Sequence, residues 1–152
     1  MEAFSQPAAH SLYETDYLQW IETTLAKLRQ QKYAQVDWAN LIEEIEDMGK
    51  RERRSLESNL VILLLHLLKW QYQPTLRSGS WAGSIFEHRR RIRKALQTSP
   101  SLEFYLNEVF TEAYGDALKQ AAAETGLSRE RFPSDCPYQL TQVMDEDFLP
   151  EL

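Results

Sequence analysis

The sequence predicts an all-α protein: a single-domain bundle of about five helices around a central apolar helix, with an extended or short-helical strap at the C-terminus. Helix-favouring Leu, Glu, Gln, Ala and Arg dominate, whereas only 5 Gly and 6 Pro occur among 152 residues. No stretch alternates apolar and polar residues over six or more positions, and no Asn-Gly or Asp-Gly hairpin turn occurs. A chain of this length can bury a real core, and the single Cys136 excludes a disulfide framework.

The first two predicted helices are amphipathic. The first runs from about Ser11 or Thr15 to Gln30, and Ser11-x-x-Glu14 has the form of a capping box. Its apolar face carries Tyr17, Ile21, Thr24, Leu25 and Leu28. The second helix follows Asp37 as its cap, turns Glu43, Glu44 and Asp47 largely outward, and has an apolar side of Trp38, Leu41, Ile42, Ile45 and Met48. Gly49 either ends this helix or is passed through by one longer helix.

The third predicted helix is the centre of the bundle. It covers about Lys50 to Gln73, and its second half, Leu60 to Trp70, is apolar nearly all round. Such a helix is enclosed by neighbours on several sides. Pro74 ends it. We therefore expect Leu64 and Trp70 to lie inside the protein.

Two more helices and the strap complete the prediction. A fourth helix from about Ser80 to Leu96 buries Trp81, Ile85, Ile92 and Leu96, and a fifth opens at Ser99-Pro100 and stops at Gly126. We expect residues 127–152 to pack as a strap with a short helix around Tyr138 to Met144. Phe132, Tyr138, Leu140 and Phe148 are too apolar for a free tail. Residues 1–10 are expected to be flexible.

Several separated blocks of the sequence carry a resemblance to a known family. They are YETDYLQW (Tyr13 to Trp20), LIEEIEDMGKRE (Leu41 to Glu52), HLLKW (His66 to Trp70), Gln73-Pro74, Ser80-Trp81 with Arg89-x-x-Ile92, and Pro100-Ser101-Leu102. In this order, from about Leu12 to Phe148, the chain resembles the "domain of unknown function, number twenty-nine" family, which is abundant in cyanobacteria. The resemblance implies an all-helical bacterial protein and brings no established activity or catalytic residues.

The sequence shows no export or membrane signal. The opening MEAFSQPAAH lacks a basic region and an apolar region, and the longest apolar run, Leu60 to Leu68, is interrupted by His66. That run is far shorter than the roughly 20 residues that span a bilayer. These features predict a soluble, cytoplasmic protein without a membrane partner.

His66 is the candidate centre of any catalytic chemistry, because an imidazole within an apolar run needs a partner. It could act as a metal ligand or general base, joined by Glu46 from the edge of the second helix or by His88 from the fourth. We prefer a structural role, a core histidine bonded to a carboxylate or backbone carbonyl, since no Glu-x-x-His pair or close histidine spacing occurs. The sequence therefore indicates no metal and no cofactor.

Other catalytic patterns have little support. The run Glu43-Glu44-Ile45-Glu46-Asp47 could supply paired carboxylates, but helical periodicity leaves only Glu46 near the buried edge, so we prefer a solvated face. Cys136 has no basic neighbour in Asp135-Cys136-Pro137. No nucleophile elbow and no phosphate-binding glycine loop occur.

Charge is unevenly distributed along the chain. The formal net charge is -6, yet residues 50–96 hold 11 of the 17 basic side chains and only 3 of the 23 acidic ones. The candidate partner or nucleic-acid surface comprises Arg51 and Arg54 together with Arg90, Arg93 and Lys94. Because nonspecific nucleic-acid binders usually carry a positive excess, we prefer pairing with acidic helices or self-association.

Three functional hypotheses follow from these patterns. The preferred one is a non-catalytic interaction or assembly module whose partner is protein, either a second copy or another chain. The second is nucleic-acid binding through the basic clusters, which requires a contiguous arginine face. The third is a metal-assisted enzyme centred on His66, which requires converging carboxylates or imidazoles.

Overall fold

The structure is a computed structural model that describes residues 12–151, and within that range it is helical with no strand. The all-α prediction is therefore confirmed. The expected flexibility of residues 1–10 and the capping role of Ser11 concern positions outside the described residues.

Five α-helices follow a helical turn at residues 12–15. They are α1 (Tyr17–Arg29), α2 (Trp38–Tyr72), α3 (Gly79–Thr98), α4 (Leu102–Thr125) and α5 (Leu140–Val143). Short 3-10 turns cover Tyr33–Gln35, Pro74–Leu76 and Arg129–Arg131. α1 and α3 each have a side-chain cap at the N-terminus. The Asp16 side chain accepts a hydrogen bond from the backbone N–H of Gln19, and the Ser78 side chain accepts one from the backbone N–H of Trp81.

The second and third predicted helices form one helix of 35 residues, α2. Gly49 lies within it and does not end it. Gly126, by contrast, has a φ of 75° at the C-terminus of α4, where a left-handed residue terminates the helix as predicted.

The chain divides after Lys50 into two compact units. The prediction of a single domain stays a prediction. In the second unit, the later half of α2 is the centre of the core, with Leu60, Leu63 and Leu64 fully buried. Around it pack Ile85 and Ile92 from α3 and Leu106, Ala113 and Ala117 from α4. Trp70, expected inside, is only half-buried.

The C-terminal strap packs on the second unit. Phe132, Tyr138 and Val143 are buried, and α5 lies within the predicted range of the short helix. One side chain of α3 fastens it: Arg89 is 3% exposed and donates to the backbone oxygens of Val143, Glu146 and Phe148. This arginine is a structural anchor inside a stretch that the sequence shows as a basic cluster.

Candidate functional site

In the first unit, α2 contacts the preceding helical segments through a polar edge. Glu44 accepts hydrogen bonds from the hydroxyls of Tyr13 and Tyr17, each at 2.5 Å and one on each carboxylate oxygen. The hydrogen bond to Glu44 raises the pKa of Tyr13 to about 12. Both tyrosine rings pack against Trp20, with a centroid distance of 4.8 Å from Tyr13. Glu44, expected largely outward, is therefore half-buried and bonded.

The same edge continues to the start of α2. Asp37 accepts from Trp20 Nε1 at 3.3 Å and from Asn40 Nδ2 at 2.7 Å. Trp20 and Asn40 are both buried. In this unit, the rest of the protein therefore covers the side of α2 that carries Asp37, Asn40 and Glu44.

The apolar side of this part of α2 is exposed. We call it the α2 stripe, and its members keep about half of their surface in solvent: Trp38 45%, Ile42 63%, Ile45 59% and Met48 56%. The prediction placed these four residues and Leu41 on the buried side; Leu41 is half-buried, but for the four residues of the stripe the prediction is wrong. Helical spacing shows that these residues share a face, but the tyrosine hydroxyls bind Glu44 and so hold a different face of the helix inward.

A second exposed apolar row lies on α1. Its members are Leu18 at 64%, Ile21 at 38% and Leu25 at 43% exposed. Among the residues predicted for the buried face of α1, Thr24 is buried, whereas Tyr17, Ile21 and Leu25 are exposed. Trp20, which the prediction did not include, takes the central buried position.

His66 and His88 lie on either side of one serine in the second unit. His66 Nδ1 donates to the backbone oxygen of Ile62 at 2.8 Å, and His88 Nδ1 donates to that of Ser84 at 2.7 Å. Ser84 Oγ lies 3.4 Å from His66 Nδ1 and 3.2 Å from His88 Nδ1. The structure therefore brings together the two histidines that the sequence singled out, through a serine that it did not.

The protonation pattern of this cluster does not activate the serine. Both Nδ1 atoms carry hydrogens, because each faces a carbonyl oxygen, so Ser84 Oγ can only accept from them. A nucleophilic serine would instead have to donate to an imidazole nitrogen. Burial lowers the pKa of His66, and nearby Lys69 and His88 lower it further, which keeps this imidazole neutral. The geometry is that of a satisfied structural histidine.

Two further side chains, Glu46 and Cys136, carry groups that could take part in catalysis. Glu46 belongs to the first unit, is exposed, and pairs with Lys50 at 3.5 Å, so the prediction that it lies near the buried edge of the helix is wrong. Burial raises the pKa of the Cys136 thiol, which opposes thiolate formation. In residues 12–151, no group of three or more His, Cys, Asp or Glu could hold a metal ion.

The predicted basic residues line different grooves of the second unit. Arg90 and Lys94 line a groove of about 360 Å³ with Arg91, whereas Arg93 lines a second groove and Arg54 a third. Arg51 is exposed.

Much of this positive charge is matched within the chain. Glu87 accepts from Arg90 at 2.8 Å and from Arg91 at 3.1 Å, and these bonds lower the pKa of Glu87 to about 2. Arg93 pairs with Glu146 of the strap. Lys94 is exposed, and the described part of the chain gives it no ion pair.

Comparison with known proteins gives a family match that covers most of the chain. The family described as "Domain of unknown function DUF29" matches residues 12–149. No curated protein and no solved structure matches. In residues 12–151, none of the helices combines the length and the apolar character needed to cross a bilayer.

Proposed function

The chain belongs to the DUF29 family, whose function is unknown. From the surface of the protein itself, we propose that it is a non-catalytic interaction module that binds protein through the α2 stripe. The carrying observation is the inverted orientation of α2 in the first unit. There, Asp37, Asn40 and Glu44 form the covered edge, and the apolar side is exposed.

A surface helix normally turns its apolar side towards the core and its polar side towards water. The first part of α2 does the reverse, and exposing large apolar side chains to water is unfavourable by about 25 cal/mol per Å². Scattered exposed residues need no explanation, but a contiguous apolar patch marks an interaction site. The α2 stripe is contiguous, because its four members lie on neighbouring turns of one helix.

The exposed apolar side chains are concentrated in the first unit. Of the thirteen exposed large hydrophobic side chains in residues 12–151, nine precede Lys50. The first unit is therefore the best-supported binding surface.

The two other hypotheses have weaker support. Nucleic-acid binding would rely on the groove of Arg90, Arg91 and Lys94, where Glu87 pairs with both arginines and its single negative charge offsets one of the three positive charges. Metal-assisted catalysis would rely on His66 and His88 without a nearby third ligand in residues 12–151.

Site-specific photo-crosslinking in cells tests the proposal. A photoreactive amino acid at Ile42 should give a discrete covalent adduct on illumination. Phe104 is the matched control, because it is 75% exposed on α4 and lies outside the stripe. An adduct at Ile42 but not at Phe104 supports the proposal. No adduct at Ile42, or equal adducts at both positions, contradicts it.

A further inference from the structure

We propose that the groove between α2 and α3 binds one phosphate dianion, supplied either as inorganic phosphate or as the phosphate group of a small monoester. We call it the anion groove; its lining includes Ser55 and Asn59 of α2 and Arg90, Arg91, Lys94 and Thr98 of α3. It belongs to the second unit and contains no residue of the α2 stripe, so the inference is independent of the proposed function.

The anion groove differs from the two other grooves described above in the charge of its lining. Three cationic side chains line it, Arg90, Arg91 and Lys94, and no Asp or Glu of the described chain is among its lining residues. The groove of Arg54 and the groove of Arg93 each contain two acidic side chains as well. In a chain with a formal net charge of -6, the anion groove is therefore a local concentration of positive charge that attracts anions.

The cations of the anion groove keep most of their hydrogen-bond donors available. Glu87 accepts from Nε and Nη2 of Arg90 and from Nε of Arg91, so it occupies two of the five N–H groups of Arg90 and one of the five of Arg91. These bonds also hold both guanidinium groups beside the same carboxylate. Lys94 lies four residues after Arg90 and three after Arg91, and therefore on the same side of α3. The groove thus offers several charged donors to one ligand that is rich in acceptors.

The net charge of the site matches a dianion. The three cations and the single negative charge of Glu87 leave a charge of +2. A phosphomonoester carries about -1.5 to -2 at neutral pH and presents three strong acceptor oxygens, which arginine forks match in geometry. The hydroxyls of Ser55 and Thr98 add neutral donors. A carboxylate, with one negative charge, would leave positive charge unmatched.

A single phosphate group fits the anion groove better than a nucleic acid does. A nucleic-acid backbone needs a row of cations, but Arg54 and Arg93 lie in grooves that also contain acidic side chains. No aromatic side chain is among the lining residues of the anion groove, so a base would have no stacking partner there. Its volume of about 360 Å³ lies at the lower end of the range for small-molecule sites.

Isothermal titration calorimetry of the full chain with inorganic phosphate and with methyl phosphate tests the proposal. We expect saturable binding of one equivalent, which added NaCl weakens because the anion groove is open to water. Binding of only one of the two probes supports the site and identifies its source as free phosphate or a monoester. Acetate, a monoanion, should bind at least about tenfold more weakly than the better probe. No saturable binding of either probe, or acetate binding as tight as theirs, overturns the proposal.

Two charge-matched double variants separate the anion groove from general surface charge. Arg91→Gln, Lys94→Gln removes two exposed cations of the groove and should weaken phosphate binding about tenfold or more, because hydrogen bonds between charged groups and phosphate are the strong ones. Arg54→Gln, Arg93→Gln removes the same charge from the other two grooves and should bind within about twofold of the wild type. Circular dichroism checks that both variants keep their helices. An equal loss in two folded variants would assign the binding to overall charge and overturn the proposal.

Heteronuclear NMR of the wild type during the phosphate titration locates the ligand. The backbone amide shifts should cluster at residues 55–59 and 90–98, and shifts centred elsewhere refute the site. A parallel titration with a short DNA duplex should give no shifts at physiological salt. If the duplex binds more tightly than methyl phosphate and loses that binding in the Arg91→Gln, Lys94→Gln variant, the groove is a nucleic-acid contact and the proposal is overturned.

Discussion

Replacing Arg89 by Met should release the C-terminal strap while keeping the volume of the buried stem. In the wild type, Arg89 Nε donates to Val143 O at 2.7 Å, and its two terminal nitrogens donate to Glu146 O at 3.3 Å and Phe148 O at 2.6 Å. Methionine offers no donor. Three backbone acceptors therefore lose a charged partner at once.

The expected loss follows from these bonds. A hydrogen bond to a charged group contributes about 1.5–3 kcal/mol, so the two short bonds dominate and the 3.3 Å bond adds less. Water can reach part of the freed strap, and burial lowers the pKa of Arg89, which shows that placing the guanidinium inside also has a cost. We expect a net loss of about 3 kcal/mol in the free energy of unfolding.

Urea denaturation followed by circular dichroism measures this loss. Arg90→Met is the matched control, because the Arg90 side chain is 46% exposed and pairs with Glu87 on its own helix. The control should lie within about 0.5 kcal/mol of the wild type. If Arg89→Met is no less stable than Arg90→Met, the three carbonyl contacts do not hold the strap and the reasoning is refuted.

Three further outcomes are expected. Burial lowers the pKa of His66, so the unfolded chain binds a proton at this imidazole at a higher pH than the folded chain does, and the free energy of unfolding should fall as pH drops below about 6.5. His66→Gln should reduce that fall in denaturation curves recorded at several pH values. An unchanged fall would exclude His66 as its source. Gly126→Ala should lower the free energy of unfolding by about 1 kcal/mol, because the φ of Gly126 is 75°. Gly83 lies inside α3 and faces open space, so Gly83→Ala should raise it by about 0.5–1 kcal/mol. Equal effects of the two substitutions on the melting temperature would contradict this prediction. Trp70 Nε1 is buried without an acceptor in the described residues, so Trp70→Phe should cost less than 1.5 kcal/mol by urea denaturation, and a larger loss would reveal a bond that the structure lacks.

The central helix and the helix ends could be predicted because each depends on local sequence. The run from Leu60 to Leu68 is apolar on all sides, and such a helix is stable only when surrounded. Gly126 stops α4 and Pro74 follows the end of α2, because glycine accepts a left-handed φ and proline lacks an N–H. These signals do not depend on distant contacts.

The orientation of the first part of α2 could not be predicted, because it depends on contacts that are distant in sequence. Periodicity places Ile42 and Ile45 on one face, but it does not show which face of the helix meets a neighbour. That choice depends on Glu44, whose partners Tyr13 and Tyr17 lie 31 and 27 residues away. A carboxylate with two distant tyrosine donors leaves no mark in the local sequence.

Arg89 is a case in which a local signal was present. It lies four residues after Ile85 and three before Ile92, so helical spacing places it among buried side chains. The neighbouring Arg90, Arg91 and Arg93 draw attention to charge instead. The position of Arg89 on an apolar face predicts its role better than its position in a basic run does, because a buried arginine must find hydrogen-bond acceptors inside the protein.

Arg89 recognises the strap by its main chain, and this has a consequence for sequence change. Every residue type has a carbonyl oxygen, so side chains at Val143, Glu146 and Phe148 can be exchanged without removing an acceptor. The spacing of the three carbonyls along the strap is fixed by the geometry of one guanidinium. Substitutions in residues 143–148 should therefore leave the three bonds to Arg89 in place even where they cost packing, as at the buried Val143, whereas an insertion or deletion should break them.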